Sequence, residues 1–214
     1  MSTPLTTPSA PPYDAILFDF DGVIADSEPV HYECWSRVMR DYQIEIPWDE
    51  YQSRFVGVSD RQMIEQLASK RTPPLRFEEV WAEYPRKRAM LRARFEECPP
   101  FLPEILELVR ELSGLYKLAV VSSSGRGEVE VPLERAGIRQ YFQALVCGRE
   151  AKELKPAPDP YLLAAELLRS HRPLVVEDSL SGVASASSAG FDVLRVSGPG
   201  AVVEEVAAAL ELAC

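Results

Sequence analysis

In Ala15-Ile-Leu-Phe-Asp-Phe-Asp-Gly22, four consecutive apolar residues run into two aspartates and a glycine. A short apolar run bounded by turn residues predicts a buried strand over 15–20. The aspartates then stand at its carboxyl end at positions i and i+2, and strand alternation puts both on one side. Two anions this close repel unless a cation or a proton intervenes. One can attack as a nucleophile while its neighbour moves a proton. The plainer account is two strand-end aspartates in a turn, and so short a motif does not choose between them.

Downstream, further apolar runs predict strands at Leu118–Val121, Ala144–Cys147, Leu174–Val176 and Val193–Val196. Amphipathic patterns between and after them predict helices over Pro103–Leu112, Val129–Ala136, Pro158–Leu168, Gly182–Ala189 and Val202–Leu212. Gly114, Gly137 and Gly190 follow three of these as stop signals, because glycine takes the left-handed conformation cheaply. Strands interleaved with helices imply right-handed crossovers and an α/β, Rossmann-like parallel sheet core. Such sheets bind ligands outside the carboxyl ends of their strands. The stretch 25–98 breaks the alternation and contains helical patterns only. Ser27 before Pro29 reads as the N-cap of a helix to Tyr42, Asp60 as the cap of Arg61–Ser69, and Phe77–Glu96 as one long charged helix. The partition is therefore a disordered tail over 1–12, a core of 13–24 and 99–214, and an inserted all-helical cap over 25–98.

At 214 residues the chain suits one domain with a smaller insert. Its 23 basic against 33 acidic residues give a net charge of −10, which argues against non-specific nucleic-acid binding but not against a phosphate ester in a local pocket. Cys34, Cys98, Cys147 and Cys214 form no CxxC and no Cys/His cluster, so neither a zinc site nor a disulfide framework is expected. The start, rich in Pro, Ser and Thr, has no basic or apolar stretch of a targeting signal, and no run approaches a membrane span. A cytoplasmic location is expected.

Three further strand ends carry polar groups. The second strand runs into Ser122-Ser-Ser-Gly-Arg-Gly127, whose hydroxyls and N–H groups at a helix start suit a phosphate. Lys155 lies just before a helix, in a loop stiffened by Pro156 and Pro158. The fourth strand ends in Glu177-Asp178, oxygen donors for a hard divalent cation, with an Asp178 N-cap as the plainer reading. Four polar sites on four strand ends, in this order, resemble the haloacid dehalogenase superfamily of phosphatases and phosphomutases from Asp14 to about Gly198. Glu177-Asp-Ser-Leu-Ser-Gly-Val183, with Ser188-Ala-Gly190 and the placement of the cap, is similar to its beta-phosphoglucomutase-like subgroup.

The resemblance implies that Asp19 is the nucleophile that forms an aspartyl-phosphate, and that Asp21 is the general acid and base. It implies magnesium held by Asp19, the Asp21 carbonyl and the Glu177-Asp178 pair. Ser122, Ser123 and Lys155 would hold the phosphoryl oxygens. His31 matches a position that contacts the general acid, with a helix-surface histidine as the plainer reading. Phe55–Ser59, including Gly57 and Ser59, resembles the cap's specificity loop. Lys87 is a candidate for the cleft, with a solvated face as the plainer reading. Trp35, Trp48 and Trp81 are expected in the cap core.

The subgroup's mutases carry an arginine directly after Gly-Val-Ser and Lys-Asn after the second-motif Ser-x-Ser. Here Asp60 precedes Arg61, and Gly125-Arg126 follows Ser124. That favours hydrolysis of a small phosphorylated metabolite over isomerisation, unless Arg61 and Arg126 compensate from one residue on; separately, a monomer is expected. A receiver-like phosphorylation switch is the non-enzymatic alternative; receivers lack the cap and the paired aspartates.

Overall fold

The computed structural model describes residues 12–56 and 58–210. The expected tail, except Pro12, lies outside them, as does Gly57. Among the described residues, five parallel strands form one sheet: β1 (Ala15–Phe18), β2 (Lys117–Ser122), β3 (Ala144–Cys147), β4 (Pro173–Glu177) and β5 (Asp192–Arg195). Their order is β3-β2-β1-β4-β5, so the first strand is the central one. Helices α6 (Pro103–Ser113), α7 (Arg126–Arg135), α8 (Asp159–Leu168), α9 (Leu180–Ser188) and α10 (Val202–Ala209) cover both faces. Ile16, Phe18, Val120 and Val176 pack with residues of α6, α7 and α10, whereas Leu17, Val121 and Val175 pack with residues of α8 and α9. Both alternating sets are buried, which is why β1 and β4 read as unbroken apolar runs.

Between β1 and α6 the chain forms α1 (Glu28–Asp41), α2 (Trp48–Arg54), α3 (Asp60–Lys70), α4 (Phe77–Trp81) and α5 (Tyr84–Glu97). Trp35, Met39, Tyr51, Met63, Leu67 and Val80 share a second apolar cluster. Trp35 is fully buried there, while Trp48 lies at the surface with 36% exposure. The expected helix over Phe77–Glu96 is broken at Ala82–Glu83. Pro85 sits in the first turn of α5, because its ring clashes with the carbonyl four residues back and it has no N–H to donate. Two expected caps also differ. Ser27 makes no side-chain cap to α1, since its hydroxyl donates to Asp21, and Ser59 rather than Asp60 caps α3. Gly114 ends α6 in right-handed backbone, while Gly137 and Gly190 do take positive φ.

Candidate active site

Three chain segments converge at the carboxyl edge of the sheet. Asp19 leaves β1 with its N–H still bonded to the carbonyl of Val176, so the ladder fixes its backbone. Lys155, on the loop before α8, reaches across with its side chain 4% exposed. Its Nζ donates to Asp19 Oδ1 at 2.6 Å, Glu177 Oε1 at 2.7 Å and the Val121 carbonyl at 2.9 Å. Burial works against the Lys155 ammonium, but Asp19 and Glu177 outweigh it and hold its pKa above the ordinary lysine value. Burial also lifts Asp19 well above the usual carboxylate range; Lys155 opposes this, and Glu177 and Asp21 add to it.

Glu177 is fully buried and saturated with donors. Tyr161 donates to Oε1 at 2.9 Å beside Lys155, and both the N–H and the hydroxyl of Ser179 donate to Oε2 at 3.0 Å. Ser179 also caps α9 by accepting the Gly182 N–H, so the expected alternative of an Asp178 cap is replaced by its neighbour. Asp178 is left facing the cluster. Its Oδ2 lies 2.2 Å from where a β-carbon on Gly22 would stand, and Gly22 takes φ +80°. Oxygens of Asp19, Glu177 and Asp178 come within 4.8 Å of one another, a set of hard donors able to hold a divalent cation.

Burial and the adjacent Glu177 push Asp178 up to about 6, from an ordinary 3.8. A raised native pKa favours the protonated fold, so this contribution is fully present below about 3.8 and lost as pH rises through about 6. In chelator at about pH 7.5, Asp178→Asn is therefore expected to melt a few degrees above the wild type. The difference should vanish near pH 4, and added Mg²⁺ should reverse the order by binding only the wild-type cluster tightly. Equal melting at both pH values would refute the assignment.

The second aspartate stands on the turn that Gly22 closes. Asp21 Oδ1 accepts from Ser27 at 2.6 Å and Oδ2 from Ser124 at 2.7 Å, with Ser122 farther away at 3.5 Å. Ser122 Oγ accepts the Ser124 N–H, and Ser123 is exposed beside them. His31 Nε2 lies 3.9 Å from Asp21 Oδ1, buried and without a hydrogen-bond partner. Its Nδ1 is 2.9 Å from Lys87 Nζ; with Lys87 as the ammonium donor, the ring proton is assigned to Nε2, facing Asp21. Burial and then Lys87 lower the His31 pKa, so the imidazole is held neutral. Lys87 is 1% exposed, which overturns the solvated-face reading, and it also donates to Asp60 Oδ2 at 3.1 Å.

The structure leaves other expected residues out of this arrangement. The Ser59 hydroxyl is engaged with Gln62 at the start of α3. Arg61 pairs with Glu65 and stacks on Phe77, and Arg126 pairs twice with Glu150 and bonds the Leu145 carbonyl. Both arginines are thus paired with glutamates rather than with the residues around Asp21. Ser27, Tyr161 and Ser179 were not anticipated as site residues. Ser179 follows Glu177-Asp178 with Gly182 three residues on, a readable pattern, whereas Tyr161 lies inside an apolar helix face and gives no signal.

A family model for haloacid dehalogenase-like hydrolases matches residues 16–196. The chain is 34% identical over 185 residues to a phosphorylated carbohydrates phosphatase of Thermotoga maritima, covering 84% of this chain and 82% of that one. It is 28% identical over 190 residues to a beta-phosphoglucomutase of Bacillus subtilis, covering 85% and 82%. The crystal structure of CbbY from Rhodobacter sphaeroides in complex with phosphate superposes with a TM-score of 0.68 at 25% identity, covering 86% and 87%. No helix among the described residues is long and apolar enough to cross a membrane.

Proposed function

This chain belongs to the haloacid dehalogenase-like hydrolases, and on that basis we propose that it is a Mg²⁺-dependent phosphatase acting on a small phosphate ester such as a sugar phosphate, through an aspartyl-phosphate on Asp19. The observation that carries this reading is Lys155, bonded to both Asp19 and Glu177 while Asp21 stands on the next turn with Ser124. In the first step Asp19 Oδ attacks phosphorus and the ester oxygen leaves with a proton from Asp21. In the second, water attacks the acyl-phosphate phosphorus, Asp21 takes its proton, and orthophosphate and the Asp19 carboxylate are regenerated. Ser122, Ser123, Lys155 and the N–H groups of the loop hold the phosphoryl oxygens. His31, fixed by Lys87, positions Asp21.

The donor chemistry fits Mg²⁺. Asp19 and the Glu177-Asp178 pair would hold it with the Asp21 carbonyl. When bound, the ion neutralises phosphoryl oxygens that would otherwise face several carboxylates. The same reading makes 25–98 a cap over the core of 13–24 and 99–214.

Hydrolysis is favoured over isomerisation because Arg61 and Arg126 are both engaged by glutamates, Glu65 and Glu150, rather than left as free cations. A mutase must retain a bisphosphate while it reorients, which needs cations free to grip the second phosphate. Given glucose 1-phosphate with a trace of the 1,6-bisphosphate, the enzyme is expected to release orthophosphate in Mg²⁺ and to stop in chelator. Rapid formation of glucose 6-phosphate with little free phosphate would overturn this.

A further inference from the structure

Building on the phosphatase reading, we propose that Arg88 is a substrate-binding residue that selects phosphate esters of uncharged, hydroxyl-bearing alcohols. It lies on α5 and reaches the loop that follows β2. Its Nη2 is 2.5 Å from where a β-carbon on Gly125 would stand, so the guanidinium fills the place of a side chain at that position. Gly125 directly follows Ser124, whose hydroxyl donates to Asp21. The sequence offers glycine where a cation was sought, and the fold brings one there from another helix.

Glu128 holds this arrangement. It is 6% exposed, accepts Arg88 Nε at 2.6 Å on one oxygen, and accepts the Gly125 N–H at 2.9 Å on the other. One buried carboxylate thus fixes both the loop backbone and the arginine. Among the described residues, neither Nη atom has a hydrogen-bonding acceptor, and the side chain is 38% exposed. A guanidinium carries five N–H donors, so most of this one's remain for a ligand.

The charge of the pair sets the ligand class. An arginine offset by a buried carboxylate still donates to hydroxyl oxygens, but it offers little net attraction to a second phosphate. Lys87 is likewise bonded to Asp60 and Arg126 to Glu150, so neither neighbouring cation supplies that attraction. A monophosphate of a neutral polyol satisfies the free donors, and a bisphosphate does not find an unpaired cation.

The test compares wild type, Arg88→Ala, Arg88→Lys and Glu128→Gln in Mg²⁺ on p-nitrophenyl phosphate, fructose 1-phosphate and fructose 1,6-bisphosphate. Arg88→Ala is expected to raise KM for fructose 1-phosphate about tenfold more than for p-nitrophenyl phosphate, the worth of a charge-assisted hydrogen bond, with a smaller effect on kcat. Arg88→Lys keeps an ion pair with Glu128 but lacks the fork, and should fail to restore KM. Glu128→Gln should raise kcat/KM for the bisphosphate relative to the monophosphate about fivefold, because the guanidinium is then uncompensated. Equal losses on all substrates in Arg88→Ala, restoration by lysine, or an unchanged ratio in Glu128→Gln would each overturn the proposal and leave Arg88 as a strut between α5 and α7. If the wild type turns over none of the three, the phosphatase reading has failed. Calorimetry then decides Arg88 separately: the proposal stands if Arg88→Ala weakens fructose 1-phosphate binding about tenfold more than orthophosphate binding, and falls otherwise.

Discussion

Asp19→Asn is expected to lower kcat by at least about four orders of magnitude, because an amide cannot form the acyl-phosphate and nothing else at this sheet edge replaces the attacking oxygen. The substitution keeps the side chain's shape. Lys155 retains Glu177 and the Val121 carbonyl as partners, so its ammonium is not stranded. Burial disfavours the Asp19 charge, so removing that charge does not weaken the fold. Steady-state release of phosphate from p-nitrophenyl phosphate, with the melting temperature as a control, reads both sides of this prediction. A folded variant that keeps more than a trace of activity would remove Asp19 as the nucleophile.

The second large effect is structural and comes from a glycine. A β-carbon on Gly182 would lie 1.5 Å from Glu177 Oε1 and 1.9 Å from its carboxyl carbon. Glu177 has nowhere to go: it is fully buried and fixed by Lys155, Tyr161 and Ser179. Ser179 also accepts the Gly182 N–H, so the clash spreads into the start of α9. Gly182→Ala should cost about 3 kcal/mol or more, at the upper end of overpacking. That corresponds to a fall in melting temperature of roughly 6–12 °C for a chain of this size. Gly127→Ala is the control, since nothing lies within 4 Å of its added carbon and alanine favours the helix. Should Gly182→Ala melt with the wild type, the tight seating of α9 on Glu177 is not as described.

The strands were legible because burial on both faces imposes a pattern that local sequence carries in full. Ala144–Cys147 is reproduced residue for residue, and the other four strands differ only at their ends. The helices between β1 and α6 were less legible. Trp48–Arg54 is short, with one buried residue, and so lacks the periodicity that marks a helix, and Pro85 breaks the charged pattern of Phe77–Glu96 that otherwise runs on as one helix. At the candidate site, the residues on strand ends were readable because position along a strand dictates direction. Lys87 was legible only as a candidate beside a solvated-face reading, and Arg88 not at all, since their placement depends on how α5 packs against α1 and α7. Charge gave no guide there either: both belong to a run of basic residues on α5, and only the fold separates the buried Lys87 from its exposed neighbours.

The central place of β1 in the sheet has a consequence for the newly made chain. Its partners, β2 and β4, begin only at Lys117 and Pro173, so the first strand synthesised waits longest for its second neighbour. Until β4 inserts, four apolar residues present an open edge, and Lys155 lacks Glu177. Distant pairings of this kind slow folding and leave unpaired edges prone to aggregate. A ribosome-stalled or truncated product ending before Pro173 would therefore be a poor intermediate to release, and a natural client for holding chaperones until the last fifth of the chain arrives.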